Sequence, residues 1–403
     1  MRILISTWSL QVGGGEILAL NLAAGLVARG HEVFVFNQRA HLVDKALVQR
    51  LLPSSIRVLS MADRPIRSFM AYKLDAVRQR LRWPARNYEQ AQRTYLAWCV
   101  QQYQIELIHS HATYSDQLCE PVARAVGVPL VLTEHGEYAQ FTREGRRDFL
   151  PVLQGAQAIA AVSNYCRRTL ADNLPNLPLL QTVYNGVILH PGPDAARIMR
   201  EQLGIPAEAF VLGMAARGRA DKGWQCAIEA FRLLRSDKLG RPLRLVLVGG
   251  SEYLDELRQQ CAAEPEIIFT GRVPNPDFYL AGFDVGLLPT YFAAEALPLV
   301  IIEYMTCGKP TVATRMGGIP ELLQPPGGDT GQLLELDPAT GQPDPAALAT
   351  ALRRYRDDSA LYAAHAQRAL EVAQSQFSMP TCVARYEQLY AAVSAMSPSI
   401  CRP

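Results

Sequence analysis

MRILISTWSLQVGGGEILALNLAAGLVARGHEVFVF, residues 1–36, holds one complete turn of a pattern that repeats along the chain. Arg2–Thr7 is an apolar run of strand length, and Gly13–Gly15 form a turn. Glu16–Arg29 carries helical spacing, and His31–Phe36 is a second strand introduced by Gly30. Strand, helix and strand of this kind make a βαβ unit, which builds a parallel sheet wrapped by helices. Ile105–His109, Pro129–Thr133, Ala158–Ala161 and Leu180–Tyr184 continue the same sheet. The stretch from Asp63 to Tyr103 reads as a long helical region broken near Pro84.

The pattern then restarts. Phe210–Met214, Arg244–Val248, Ile267–Phe269, Asp284–Leu288 and Thr311–Ala313 are buried-strand candidates. Lys222–Arg235, Glu252–Ala263 and Pro298–Thr306 are the helices between them. Asn185-Gly186-Val187 and Pro191-Gly192-Pro193 form a turn-rich break between the halves. The expectation is an α/β protein of two doubly wound, Rossmann-like domains, residues 1–188 and 189–377, facing across a cleft. An amphipathic helix over 378–397 is expected to cross back to the first domain.

Composition fits a buried globular protein, with 49% hydrophobic and 19% charged residues. The net charge is +2, yet the window Arg64–Arg93 holds eight basic residues against two acidic ones. Phe69, Tyr72, Trp83 and Tyr88 lie among those arginines. That mixture suits an anionic membrane surface or an acidic, lipid-linked acceptor; a solvated helical excursion is the alternative. Nucleic acid is disfavoured by the near-neutral total and the lack of a recognisable module. The eight cysteines, Cys99, Cys119, Cys166, Cys226, Cys261, Cys307, Cys382 and Cys401, have no metal-ligand spacing and fit a reducing cytoplasm. No signal peptide or membrane-spanning run is recognisable. The expected location is the cytoplasm, with peripheral attachment to the inner membrane face open.

Three segments carry chemistry. Glu295-Ala-Leu-Pro-Leu-Val-Ile-Ile-Glu303 follows the strand ending near Leu288, where an open α/β sheet binds its ligands. Backbone N–H groups of Leu299 and Val300, at the start of the next helix, can donate to a phosphate oxygen. A carboxylate such as Glu303 can accept from both hydroxyls of a ribose; solvated helix-face charges are the alternative for both glutamates. The second segment places Arg217 and Lys222 on one loop after Met214. Two fixed cations there suit a diphosphate whose charge grows as its bond to a sugar breaks. The third, Gly13-Gly14-Gly15-Glu16, lets a phosphate approach the backbone or is simply a tight turn. Leu18 stands where GxGxxG would need its third glycine, so a nicotinamide site is disfavoured.

Taken in order, these pieces resemble the family 4 glycosyltransferases, retaining enzymes of the GT-B fold. The resemblance runs through Gly13–Glu16, Thr133-Glu-His135-Gly136, Ala161-Val-Ser-Asn, Tyr184-Asn185-Gly186-Val187, Arg217-x4-Lys222-Gly223 and Leu247-Val-Gly249-Gly250. It continues through Phe269-Thr-Gly271-Arg, the E-x7-E of Glu295 and Glu303, and Gly317-Gly318-Ile-Pro320-Glu321. It implies that Arg217 and Lys222 hold the donor diphosphate as leaving group. Glu303 would bind the ribose, and Glu295 the hydroxyls of the transferred sugar. Gly13–Gly15 would close over the phosphates, and His135 would lie near sugar and acceptor. The implied reaction moves a hexose from a UDP- or GDP-sugar to a hydroxyl of a glycan or lipid-linked glycan, in polysaccharide or lipopolysaccharide assembly, with no metal or other cofactor. Other classes consistent with the fold are a non-catalytic nucleotide-sugar-binding subunit, an epimerase or a sugar phosphorylase. Leu297-Pro298 departs from the usual Phe-Gly after the first glutamate, leaving the sugar's identity open. Gly218-Arg219 also departs, replacing an apolar residue and adding an arginine with no assigned role.

Among the remaining polar residues, His109 and His111 read as polar residues at a strand end beside the cleft. A metal pair is disfavoured for them, and His111 is a candidate to touch the acceptor. Glu16 either positions an acceptor hydroxyl or favours the helix N-terminus through the helix dipole. Asp221 reads as a helix cap.

Overall fold

The computed structural model describes residues 1–189, 191–237, 241–274 and 276–396. The chain divides into two compact units, Met1–Gly186 together with the chain from Met379, and Val187–Ser378.

In the first unit the strands are β1 Arg2–Thr7, β2 Glu32–Asn37, β3 Arg57–Leu59, β4 Leu107–Ser110, β5 Leu130–Glu134, β6 Ala158–Ala161 and β7 Leu179–Thr182. All neighbours pair in parallel, in the order β3-β2-β1-β4-β5-β6-β7. β1, β4, β5 and β6 are buried almost throughout, as strands covered on both faces by helices must be. The second unit repeats the plan with β8 Phe210–Ala215, β9 Leu243–Val248, β10 Ile267–Gly271, β11 Val285–Leu288, β12 Thr311–Thr314 and β13 Gly331–Leu334. Its order is β10-β9-β8-β11-β12-β13, again parallel. Each sheet reverses its direction of growth once, between β1 and β4 and between β8 and β11. Loops at the carboxyl ends of such switch strands are where doubly wound sheets bind ligands.

The expected helical region Asp63–Tyr103 is a hairpin of two helices, Pro65–Arg80 and Asn87–Gln102, after a short 3-10 turn. Asp75, buried on the first helix, holds the second in place. Its carboxylate accepts from the backbone N–H groups of Asn87 and Tyr88, each at 2.8 Å, and from the Asn87 side chain at 2.7 Å. The last helix, Met379–Met396, packs in the first unit against the helix Gly14–Ala28. A Cβ on Gly25 would lie 2.5 Å from Val383, so glycine permits this close approach. Val383, Tyr386, Tyr390 and Val393 recur at helical spacing and are buried there. The cysteines among the described residues are all free thiols, Cys401 lying outside them. Among the described residues no helix is long and apolar enough to cross a membrane.

Candidate active site

In the second unit, several bonds fix the loop after β8 and join it to the loops after β9 and β11. Trp224 is fully buried, and its indole N–H donates to the Arg217 carbonyl at 3.2 Å. The Ser251 hydroxyl donates to the Gly218 carbonyl at 2.7 Å. A Cβ on Gly218 would lie 2.3 Å from that hydroxyl, which accounts for glycine after Arg217. The Asp221 carbonyl accepts from the Tyr291 N–H at 2.8 Å and the Thr290 hydroxyl at 3.1 Å, tying one loop to the other. Gly223 adopts a φ of 85°, and a Cβ there would meet the Pro289 carbonyl oxygen at 2.0 Å. Only glycine fits both demands.

These bonds bring Lys222 and Glu295 together. The Lys222 Nζ lies 2.6 Å from the Glu295 Oε2, with each side chain only 8% exposed. The ring of Phe292 lies beneath three cations: Lys222 Nζ at 4.6 Å, Arg219 Cζ at 4.7 Å and Arg217 Cζ at 5.8 Å from its centroid. An aromatic face within about 6 Å stabilises a cation without neutralising it. Arg217 itself is exposed. Asp221 is not the helix cap expected from sequence. Gly223 stands at the N-cap of the helix Trp224–Arg235, while Asp221 pairs with Arg219 at 2.5 Å. That pair holds the Asp221 carboxyl below the usual carboxylate range.

Glu295 is fixed from its other side by a glycine pair. Gly317, with φ of 51°, lies so close that a Cβ would sit 1.5 Å from the Glu295 carbonyl oxygen. The Gly318 N–H donates to the Ala296 carbonyl at 2.8 Å. Gly317→Ala would therefore push the Glu295 backbone aside as well as strain its own. We expect a lowered melting temperature and a fall in turnover of at least tenfold, read by thermal unfolding and initial rates. Turnover equal to that of the wild type would separate Gly317 from the site.

The helix Leu299–Thr306 begins just beyond, with Pro298 at its N-cap. Leu299 and Val300 are its first two residues, whose N–H groups have no intrahelical acceptor. Glu303 lies in the second turn, half-buried. Burial, with Asp277 adding a like charge, raises its carboxyl to about 7.

In the first unit the relevant loops follow β1, β4 and β5. Gly13 is the N-cap of the helix Gly14–Ala28. Glu16 folds back over it, one oxygen accepting from the Ser9 hydroxyl at 3.1 Å. Gly15 packs on the ring of His135: a Cβ there would be 3.6 Å from Nε2. The His135 Nε2 and His111 Nδ1 share a hydrogen bond of 3.3 Å. Burial lowers His135 to about 4 and His111 well below its ordinary value, so both imidazoles are neutral near pH 7. The second ring nitrogen of His111 is buried with no partner among the described residues. Glu134, which carries no functional signal of its own in the sequence, shapes the His135 turn. Its carboxylate accepts from the N–H groups of Gly136, Tyr138 and Ala139 at 2.9–3.1 Å.

His109 keeps its expected strand position but not a place beside an open cleft. It lies near the end of β4, as the strand Ile105–His109 implies, but fully buried, bonded at 2.7 Å to both the Tyr390 hydroxyl and the Thr133 hydroxyl. It ties the last helix to the sheet and touches no open surface.

The order of these segments matches two family descriptions, Glycosyltransferase Family 4 over residues 12–190 and Glycosyl transferases group 1 over residues 209–358. The chain belongs to the family 4 glycosyltransferases. One relative of this glycosyltransferase is the N-acetyl-alpha-D-glucosaminyl L-malate synthase of Bacillus anthracis. The two are 26% identical, with 94% of each chain covered. A second is the D-inositol 3-phosphate glycosyltransferase of Arthrobacter sp. (strain FB24), 28% identical over 77% of this chain and 75% of the relative. The fold is also that of Anabaena Alr3699/HepE, solved in complex with UDP and glucose. That likeness has a TM-score of 0.76 and 21% identity, covering 97% of this chain and 100% of the other. The two Rossmann-like units are thus those of a GT-B glycosyltransferase.

Proposed function

We propose that this glycosyltransferase is a retaining hexosyltransferase that uses a UDP- or GDP-sugar and needs no metal. The observation that carries the reading is the buried Lys222–Glu295 pair on the loops after β8 and β11, with Arg217 beside it. A donor diphosphate would draw the Lys222 ammonium from Glu295, replacing one anion with another. Lys222 and Arg217 would then face the oxygens on which charge develops as the sugar leaves, in a site already built for it. Glu295, released, can accept from hydroxyls of the sugar. The N–H groups of Leu299 and Val300 would donate to phosphate, and Glu303 would accept from the ribose diol. Gly13, Gly14 and Gly15 are assigned to the donor phosphates. Neutral His135 is assigned to the transferred sugar, and His111 and Glu16 to the acceptor side.

For the acceptor we favour a hydroxyl of a glycan or lipid-linked glycan in cell-surface polysaccharide or lipopolysaccharide assembly. The names of the two relatives support a second reading, a small hydroxylated anion such as a malate or an inositol phosphate.

The test is a thermal-shift panel with UDP, GDP, ADP, UDP-glucose, UDP-N-acetylglucosamine and GDP-mannose, with and without EDTA. A ligand at about 100 times its Kd stabilises the folded state by roughly 2.7 kcal/mol. Selective stabilisation by one nucleotide sugar, unchanged by EDTA, is the expected result. Stabilisation that EDTA abolishes would overturn metal independence, and no response to any of the six would overturn the donor assignment. With the responding donor, product formation on L-malate and inositol 3-phosphate against glycan acceptors separates the two acceptor readings.

A further inference from the structure

The helix Pro65–Arg80 turns the wrong way for a soluble surface. Its inward face is made of small or capped residues: Ala71 and Asp75 are buried and Ser68 partly so. Opposite them, Ile66, Met70, Leu74, Val77 and Leu81 follow one another at intervals of four, four, three and four residues. At 100° per residue these five fall on one stripe about 80° wide. All are exposed, Ile66 at 76% and the others between 53% and 59%. Among the described residues, nothing packed in the first unit requires an apolar residue at any of them.

The same wheel places Lys73 and Arg80 along one border of the stripe, with the exposed rings of Phe69 and Tyr72 beyond them, and Arg67 and Arg78 along the other. No carboxylate shares this face. The acidic residues of the hairpin, Asp75 and Glu89, are both engaged, Asp75 as the buried cap of the second helix and Glu89 with Arg93. Trp83, 59% exposed, stands just past the helix end.

An apolar stripe with cations along both edges is the form of a helix lying in a membrane interface. Its apolar side chains enter the acyl boundary, while lysine and arginine reach outward to the headgroups. A second copy of this chain is a poor occupant, because two such stripes in contact would bring cation rows together without a compensating acid. We propose that the helix Pro65–Arg80 is an in-plane anchor by which the protein binds an anionic bilayer surface. The inference is independent of the glycosyl-transfer reading, since none of these residues belongs to the donor or acceptor assignments above.

The test is co-sedimentation of the full chain with vesicles of phosphatidylcholine alone and with about one-third phosphatidylglycerol. Binding is expected only to the anionic vesicles and should weaken as salt shortens the screening length. Each cation near such a surface contributes about fivefold in partition. Neutralising Arg67, Lys73, Arg78 and Arg80 to glutamine together should therefore reduce binding by about two orders of magnitude or more. Met70→Asp with Leu74→Asp should abolish it while the charge rows remain, with circular dichroism and turnover on a water-soluble acceptor unchanged. Equal partition onto neutral and anionic vesicles, or none onto either, overturns the proposal. So does a dimer in sedimentation velocity that the Met70→Asp, Leu74→Asp variant dissociates, for then a second copy covers the stripe.

Discussion

Replacing Lys222 by alanine is expected to lower kcat by about a thousandfold, the upper part of the range for removing one preorganised charge-stabilising donor. The same change leaves the Glu295 carboxylate buried without its ammonium. Breaking a buried pair from one side destabilises by roughly 3–5 kcal/mol, so lost activity and lost stability would be confounded in the single variant. The geometry offers the control. Glu295→Gln keeps the size of the side chain and removes the charge, so Lys222→Ala combined with Glu295→Gln should recover much of the melting temperature and none of the turnover. Stability and rate that return together would make the pair a structural strut. A near-wild-type rate for Lys222→Ala would remove the lysine from catalysis altogether.

Both sheets were legible in the sequence because parallel strands covered on both faces must be apolar runs, and those runs lie between helical patterns. The strands without a clear sequence signal, β3 and β13, are the outermost of their sheets. β3 is three residues long, beginning with Arg57, and too short to express a period. The hairpin Pro65–Gln102 was visible as helix with a break, but its fold depends on Asp75, which caps a helix twelve positions away. No local pattern encodes such a bond. The surroundings of Asp221 and His109 were hidden for the same reason. Each residue type has a common local use, while its real partner, Arg219 in one case and Tyr390 in the other, is chosen by the turn or by a helix 281 residues distant.

Of the candidate site, the charged residues were legible and the supports were not. Arg217, Lys222, Glu295 and Glu303 stand out because cations and carboxylates at strand ends have few packing reasons to be there. That Lys222 and Glu295 touch does not follow from their separation in sequence; it follows from β8 and β11 being neighbours. Phe292 gave no signal, since an aromatic two residues from Thr290 is ordinary until three cations are seen over its face. In the sequence Gly317 stands only as part of a motif. Its positive φ and its contact with the Glu295 carbonyl supply the physical reason for glycine.

The apparent affinity for the nucleotide sugar is expected to fall by about tenfold per pH unit below pH 7. The cause would be Glu303, whose carboxyl is raised to about 7 by burial and by Asp277. The sign follows from what the ribose needs. An ionised carboxylate is acceptor-only and can take both diol hydroxyls, whereas the protonated form must spend one oxygen as a donor. The free protein is mostly protonated at Glu303 below pH 7, so binding must expel a proton there and weakens as protons become abundant. Above pH 7 the carboxylate is already present and affinity should be flat. The histidines near the first-unit loops do not mimic this profile, since burial lowers His109 to about 3 and His135 to about 4. A nucleotide sugar is the proper probe, because its diphosphate is a diester with no ionisation near neutrality. Glu303→Gln should flatten the pH profile, and Glu303→Ala should weaken donor binding by about a hundredfold at pH 8. That estimate assumes two charge-assisted hydrogen bonds, each contributing roughly 1.5 kcal/mol or more. The linked effect on folding runs the other way: the folded state holds this proton more tightly than the unfolded chain does. Its contribution to stability is therefore greatest below the ordinary glutamate range and is lost as pH rises through 7. Tighter donor binding should thus develop over the same interval in which the unliganded protein gives up that stability. Calorimetric titration with the donor from pH 5.5 to 8.5 measures it, and a wild-type affinity independent of pH would take Glu303 out of the ribose site.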